Sequence, residues 1–154
     1  MFFKSNNNKG VNIMAEDEKQ NMIEKLQKKV SIDLKIDKED LKNETEKNGI
    51  KYHYYLALYI TEKKNLSKLN KLKRQLNQKL YHKYKFNNEY KLKTGPEMGT
   101  YIAGDSQMAQ LSEMINNNEG YIEYLEKVLE LFKMRSFAIK NIIDLVKLES
   151  GGFY

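Results

Sequence analysis

Apolar side chains in the second half of the chain recur at alternating steps of three and four residues. This spacing places them on one face of a helix and is typical of a coiled-coil seam. Only Asn118 and Ser136 interrupt it with polar side chains. Asp105 or Ser106 is expected to cap this helix, and Gly151-Gly152 to end it. The apolar members of this stripe are Met108, Leu111, Ile115, Ile122, Leu125, Leu129, Phe132, Ile139, Ile143 and Val146.

The first half of the chain predicts two more helices. Apolar residues at helical spacing indicate a short helix over about 15–30. A long helix is predicted over about 38–84, with Asp37 as its N-cap followed by an acidic first turn. Gly49 is the one residue that disfavours this helix, at a cost of about 1 kcal/mol. Residues 31–37 alternate between apolar and polar, which fits either a short extended segment or a linker.

These elements predict an all-α fold. The two long amphipathic helices, joined by a connector over about 85–105, should form an extended hairpin preceded by the short helix. A helix of about 45 residues is about 68 Å long, whereas a compact chain of this size is only about 40 Å across. The two lengths do not match, so the hairpin must be extended. Together with the short helix it is predicted to form one helical domain over residues 14–149, followed by a tail at 150–154.

The apolar sides of such a hairpin need further helices to cover them. We therefore expect a homo-oligomer held mainly by the C-terminal helix, through coiled-coil-like seams. Ordinary core packing is the alternative for any apolar stripe, and both interpretations require a partner helix. The residues predicted to hold the oligomer are Ile122, Leu125, Leu129, Phe132, Ile139, Ile143 and Val146.

The first 13 residues admit two interpretations. The codons of Lys9 to Ile13 can embed a purine-rich ribosome-binding site just before Met14, which would make Met14 the true start and residues 1–13 translated leader. The alternative is a disordered N-terminal tail.

The sequence carries no recognisable catalytic or metal site. It has no cysteine, which excludes disulfides, thiolate zinc sites and cysteine nucleophiles. Neither a phosphate-binding loop nor a dinucleotide-binding glycine motif is present. The only histidines, His53 and His82, would lie more than about 40 Å apart on one helix, too far to share a metal. The mean hydropathy is −0.76, and no apolar run approaches a membrane span. We therefore predict a protein that is not an enzyme, needs no cofactor and has no membrane partner.

Positive charge is concentrated in one part of the chain, the basic segment, residues 63–93. It holds 11 Lys and Arg residues and one acid, Glu89, for a charge of +10. The whole chain carries +6, which leaves −4 for the rest. Lysines that follow a phosphate backbone, together with aromatic rings that stack on unpaired bases, are typical of single-strand binders. The candidate DNA-binding residues are Lys71, Lys73, Arg74, Lys79, Tyr81, Lys83, Tyr84 and Lys85.

Other interpretations of the basic segment stay open at this point. A lysine-rich helix face can be merely solvated, and a membrane surface or an acidic protein would also attract it. Tyr84 in particular is either a stacking residue or a packing residue at the end of its helix.

Three stretches of the chain resemble the UvsY-type recombination mediators of T-even-like bacteriophages. The first runs from Ile32-Asp33 through Ile36-Asp37-Lys38-Glu39-Asp40-Leu41, and the second is the end of the basic stretch, Leu76-Asn77-Gln78-Lys79-Leu80. The third, Met134-Arg135-Ser136-Phe137-Ala138-Ile139-Lys140-Asn141-Ile142-Ile143-Asp144, is similar to the family's Arg-Gly-Phe-Ala-Ile-Lys-His-Ile ending, with Ser136 in place of the glycine.

The resemblance implies a homo-oligomeric ring, hexameric or heptameric, that binds single-stranded DNA. It also implies loading of a UvsX-like recombinase in place of the phage single-strand-binding protein, in the cytoplasm of an infected bacterial host. The family's Leu-Lys-Ala-Arg-Leu DNA-contact motif falls on Leu76 to Leu80. Lys79 matches its arginine, Asn77 replaces its lysine, and Lys73 and Arg74 lie one turn upstream.

A second class of function competes with DNA binding. A structural coiled-coil adaptor with a solubilising basic face would show the same apolar stripe. The charge of the basic segment favours the mediator, and retention on a single-stranded DNA resin would separate the two.

Overall fold

The computed structural model describes residues 16–86 and 94–151, with side chains from residue 21 onward. Four helices make up this part of the chain: α1 (Glu16–Asp33), α2 (Leu41–Phe86), α3 (Gly95–Gly104) and α4 (Ser106–Glu149), with no strand among the described residues. The prediction of an all-α fold is confirmed. The proposed leader or tail at 1–13, the Met14 start and residues 152–154 lie outside the described residues.

The chain divides into two compact units, residues 1–35 and 36–154. The first contains α1, where the Lys29 ammonium contacts the Asp33 carboxylate at 2.8 Å one turn away. Helix α1 ends at Asp33, beyond the predicted residue 30. Residues 31–33 are therefore helical, and the alternating pattern over 31–37 does not begin with an extended segment. Residues 35–37 have no regular structure and match the linker interpretation.

The N-cap of α2, the first helix of the second unit, is Asp40 rather than the predicted Asp37. The Asp40 carboxylate accepts hydrogen bonds from the backbone N–H of Asn43 at 3.3 Å and from its side-chain amide at 2.9 Å. Asp37 instead accepts from the N–H of Glu39, in the turn before the helix. Since an N-cap satisfies the free N–H groups two or three residues ahead, α2 begins at Leu41, three residues later than predicted.

The predicted connector over 85–105 contains a ten-residue helix, α3, that the sequence interpretation missed. Thr94 is its N-cap: its hydroxyl accepts from the N–H of Glu97, and the Glu97 carboxylate accepts from the N–H of Thr94. This reciprocal capping box, with Pro96 in the first turn, is a recognised start signal for a helix. The described end of the connector is therefore helical over Gly95–Gly104.

Helices α2 and α4 pack antiparallel along their length. Contacts that join them pair Glu44 with Arg135, Glu62 with Asn118, and Tyr84 with Asp105. As the residue number rises along α2 it falls along α4, which defines the antiparallel direction. Asn118, a polar interruption of the apolar stripe, donates to the Glu62 carboxylate at 2.7 Å across this interface.

The core of this hairpin lies between the two helices. Tyr55, Leu125, Val128 and Phe132 are its most deeply buried large side chains, and the rings of Tyr55 and Phe132 stack 5.1 Å apart. A second buried cluster joins the end of α2 to α3 and the start of α4. It consists of Leu80, Tyr84, Met98, Ile102 and Met108, with Leu76 packed against it.

The apolar stripe of α4 forms much of this core within a single chain. Of the residues predicted to hold an oligomer, Ile122, Leu125, Leu129, Phe132 and Ile139 are at most 8% exposed, Ile143 is half-buried and Val146 is 48% exposed. Leu125 and Phe132 are fully buried and offer no surface to another subunit in this conformation. A heptad pattern indicates that a helix packs against another helix, and here that helix is α2 of the same chain.

Candidate nucleic-acid interface

The described part of the basic segment is the second half of α2. Residues 63–86 carry nine Lys and Arg residues and no Asp or Glu. From Lys63 to Lys85 the helix rises about 33 Å, at 1.5 Å per residue. One continuous helix therefore carries a run of positive charge with no acidic residue inside it.

Two of these nine cations lie near carboxylates of α4 and its cap. The Lys63 ammonium is 3.9 Å from Glu126, and the Lys83 ammonium is 3.7 Å from Asp105. Among the described residues, no carboxylate lies within 4 Å of the other seven, and all of these are exposed except the half-buried Lys73. The seven are Lys64, Lys68, Lys71, Lys73, Arg74, Lys79 and Lys85. In the described part of the chain, a phosphate that approaches these seven cations therefore displaces no carboxylate.

The candidate DNA-binding residues fall into two grooves and one exposed helix end. Lys73 and Arg74 line a groove of about 470 Å³ together with Lys63. A second groove of about 410 Å³, between α2 and the start of α4, is lined by Lys79 and Lys83. Lys71 is exposed on α2 outside both linings, and Lys85 and Tyr81 lie at the helix end. The structure therefore distributes the predicted residues along α2 rather than gathering them into one pocket.

The two tyrosines among the candidates have different environments. Tyr84 is 6% exposed, its hydroxyl donates to the Asp105 carboxylate at 3.1 Å, and its ring lies 5.8 Å from that of Tyr101. The packing interpretation therefore describes Tyr84, since its buried ring cannot stack on a base in this conformation. Tyr81 is 40% exposed and keeps an accessible ring.

Asp105 also lines the second groove. Its carboxylate caps α4 by accepting from the N–H of Gln107 at 3.0 Å, as the sequence predicted for this position. Partial burial alone would raise the pKa of Asp105, but the hydrogen bonds from Gln107 and Tyr84 and the Lys83 ammonium outweigh it, so the pKa is lowered. The stabilisation it provides is therefore present above about pH 4 and is lost as the pH falls through the lowered pKa.

Within residues 16–86 and 94–151 we find no group of three or more His, Cys, Asp or Glu residues placed to hold a metal ion. In the same part of the chain, no helix is both long and apolar enough to cross a membrane.

Comparison with known proteins decides the family. A family model described as "Recombination, repair and ssDNA binding protein UvsY" matches residues 29–152, which is most of the chain. The chain belongs to the UvsY family. The resemblance found in the sequence is therefore confirmed, and the expected class of function, recombination and repair with single-stranded DNA binding, is that of the family.

Solved structures of a UvsY protein have the same fold. Crystal structures of the bacteriophage T4 recombination mediator protein UvsY in lattice types IV and II each match with a TM-score of 0.74. The first is 23% identical and covers 82% of this chain and 97% of that chain; the second is 22% identical, with 82% and 96% covered. No curated protein sequence matches this chain significantly.

The stretch that resembles the UvsY-type DNA-contact motif has two faces on α2. Leu80 is buried and Leu76 packs against the same cluster, so the two leucines anchor this turn to the core. Asn77 and Lys79 are exposed and flank the two leucines, one on each side, at 100° per residue. The leucines therefore fix which way Lys79 points, and Asn77 occupies an exposed position without contributing charge.

Two features of the side-chain contacts in this UvsY-family chain were not predicted from sequence. Phe86 is 68% exposed beside the candidate residues, and its ring stacks on that of His82 at 5.7 Å. The spacing of four residues between them is the signal that could have been used. The other feature is a buried network in which Arg135 donates to the carboxylate of Glu44 and, at 2.8 Å, to the side-chain oxygen of Asn48.

Proposed function

We propose that this chain is a recombination mediator that binds single-stranded DNA along the basic face of α2. This face consists of the seven cations of α2 that have no carboxylate partner among the described residues. The chain would load a UvsX-like recombinase in place of the phage single-strand-binding protein, in the cytoplasm of an infected bacterial host. The observation that carries the proposal is the row of seven cations on α2 that lack a carboxylate partner among the described residues. In a member of a family of single-stranded-DNA-binding proteins, such a row is the natural place for the phosphates.

The row is suited to phosphates rather than to reading bases in a duplex. Lysine is a flexible point charge, whereas guanine is usually read by arginine in a bidentate geometry. Arg74 is the single arginine in this half of α2. The binding we propose is therefore not sequence-specific.

The adaptor interpretation is the second candidate, because an apolar stripe supports both functions. In an adaptor the basic face would only be solubilising. The row of seven cations without a carboxylate partner among the described residues favours DNA binding over that role.

We further propose that the chain assembles into a homo-oligomeric ring, hexameric or heptameric, through a second apolar face of α4. This outer α4 face consists of Leu131, Met134, Phe137, Leu145 and Leu148, each at least 42% exposed. At 100° per residue these side chains fall within an arc of about 120° on the side of α4 opposite the buried stripe. Exposed apolar side chains grouped in this way on one side of a helix mark an interaction site.

A groove between the end of α4 and the start of α2 offers a second contact. It measures about 490 Å³ and is lined by Ile143 and Val146 of α4 together with Leu41 and Thr45 of α2. The predicted role of Ile143 and Val146 in assembly is therefore kept in the proposal. A ring would repeat the basic face of α2 and present a continuous cationic belt to a wrapped strand.

Replacing Phe137 with Asp is expected to lower the mass of the assembly in solution while the helix content stays unchanged. Phe137 is 68% exposed, so a charge there does not disturb the hairpin but opposes burial between subunits. Light scattering measures the mass, and circular dichroism checks the fold. Ile139→Asp is the contrasting variant: Ile139 is 2% exposed, so it should unfold the hairpin itself. A Phe137→Asp protein of wild-type mass would contradict this assembly surface.

Recombinase loading is tested on single-stranded DNA that is already covered by the phage single-strand-binding protein. We expect the full chain to restore ATP hydrolysis by the recombinase on this covered DNA. A variant that lacks cations of the basic face, Arg74→Ala, Lys79→Ala, should fail to restore the hydrolysis. Unchanged hydrolysis with and without the chain would contradict the proposed mediator role.

A further inference from the structure

Three aromatic side chains are exposed at the C-terminal end of α2: Tyr81, His82 and Phe86, which we name the aromatic platform. Tyr81 is 40% exposed, Phe86 is 68% exposed, and His82 is also exposed. The rings of His82 and Phe86 lie nearly parallel, 5.7 Å apart with 16° between their planes. Tyr81 meets His82 edge-on at 6.3 Å. None of the three belongs to the buried clusters of the fold.

A cation is held against this platform. The ammonium of Lys85 lies 5.3 Å from the centre of the Tyr81 ring and 5.7 Å from that of Phe86. Both distances are within the range of a cation–π contact. Among the described residues no carboxylate lies within 4 Å of Lys85, so within this part of the chain none competes with a phosphate beside the rings.

We propose that the aromatic platform binds unpaired nucleobases by stacking, next to the cations that hold the phosphates. This inference rests on the proposed function, and it adds what the cations alone do not supply. A row of lysines attracts any phosphate chain, single-stranded or duplex. Exposed ring faces can stack only on bases that are unpaired and splayed out, so the platform selects the single strand.

The occupant follows from the charge and chemistry around the rings. The platform lies at the end of the row of cations on α2, with Lys79, Lys83 and Lys85 within two turns of it. A nucleic acid strand supplies both negative charge and flat aromatic faces. An apolar protein surface would instead leave Lys85 and His82 facing aliphatic groups without a partner. A protein contact is therefore the competing outcome in the test.

The experiment compares two single strands of equal length and equal phosphate charge. One carries thymine at every position, and the other is abasic, with sugar and phosphate only. Binding of the full chain to each is measured by fluorescence anisotropy. Because one stacked base contributes about 1–3 kcal/mol, wild type should bind the thymine strand about 5- to 150-fold more tightly than the abasic strand.

The double variant His82→Ala, Phe86→Ala should lose this preference and bind both strands as wild type binds the abasic one. The matched control is Ile50→Ala, at a residue of the same helix that is 71% exposed and far from the basic segment. It should keep the wild-type preference for the thymine strand. Light scattering on all three proteins checks that the mass of the assembly is unchanged.

Each remaining outcome has a separate meaning. If wild type binds neither strand, the proposed function itself is wrong. If wild type binds both strands equally, or if the double variant keeps the preference for thymine, DNA binding stands and the platform is overturned. If the double variant changes the mass of the assembly while the preference for thymine persists, the rings form a protein contact and the platform is again overturned.

Discussion

Replacing both Arg74 and Lys79 with alanine is expected to weaken binding to single-stranded DNA about 150-fold at low salt, if each contact between a cation and a phosphate contributes about 1.5 kcal/mol. Both side chains are exposed, and no carboxylate lies within 4 Å of either among the described residues. The salt dependence should also flatten. Two lost contacts reduce the slope of log K against log salt by about 1.4, because each contact on a single strand contributes about 0.7.

The matched control for this variant removes the same charge elsewhere. Lys25 and Lys28 are exposed on α1, outside the basic segment, so Lys25→Ala, Lys28→Ala should keep nearly wild-type affinity and slope. Anisotropy titrations at several salt concentrations measure both quantities, and light scattering checks that the mass of the assembly is unchanged. If the two double variants lose affinity equally, the effect is one of net charge, and the placement of the site on α2 is wrong.

Replacing Arg135 with Met is expected to destabilise the hairpin by about 3–5 kcal/mol. The Arg135 side chain is 2% exposed and donates to Glu44, whose side chain is 10% exposed. Removing one member of such a pair leaves a buried charge without its partner, which costs more than the pair itself contributes. Urea unfolding followed by circular dichroism measures the change in the free energy of unfolding.

Two further variants identify the cause. The double variant Glu44→Met, Arg135→Met should recover most of the lost stability, because no uncompensated charge remains. Lys133→Met, which removes an exposed cation from the same helix, should change the free energy of unfolding by no more than about 0.5 kcal/mol. If Arg135→Met unfolds at the same urea concentration as Lys133→Met, the buried pair does not stabilise the hairpin.

The helices themselves could be predicted from the sequence because their apolar spacing is long and regular. The N-cap of α4 at Asp105 and the end of this helix at Glu149 agree with the sequence prediction. Helix α3 was missed because ten residues give too short a run for periodicity to reveal. Its capping box, Thr94 with Glu97, was nevertheless visible in the sequence.

The partner of the apolar stripe could not be predicted. A seam buried against a helix of the same chain and one buried against another subunit show the same spacing of three and four residues. Only the packing of Leu125 and Phe132 against α2 separates the two. The outer α4 face was overlooked because charged and polar residues such as Lys133, Asn141 and Asp144 lie between its apolar members and obscure the pattern.

The candidate site was predictable in its charge but less so in its aromatic residues. Cations remain on the surface wherever the helix turns, so their position on α2 follows from the sequence alone. Whether a tyrosine is exposed depends on which face it shares. Tyr84 is four residues after Leu80, which is four after Leu76, and this spacing puts it on the buried face. Tyr81 is rotated away from that face and stays accessible.

The most direct test of the central claim is a titration of the wild-type chain against a single strand and a duplex of the same length at several salt concentrations. The account predicts tighter binding to the single strand at every salt concentration, and no dependence on its base sequence. If four or five cations per chain each neutralise a phosphate, the slope of log K against log salt should be about −3 per chain. Equal or tighter binding to the duplex, or affinity that does not change with salt, would contradict it.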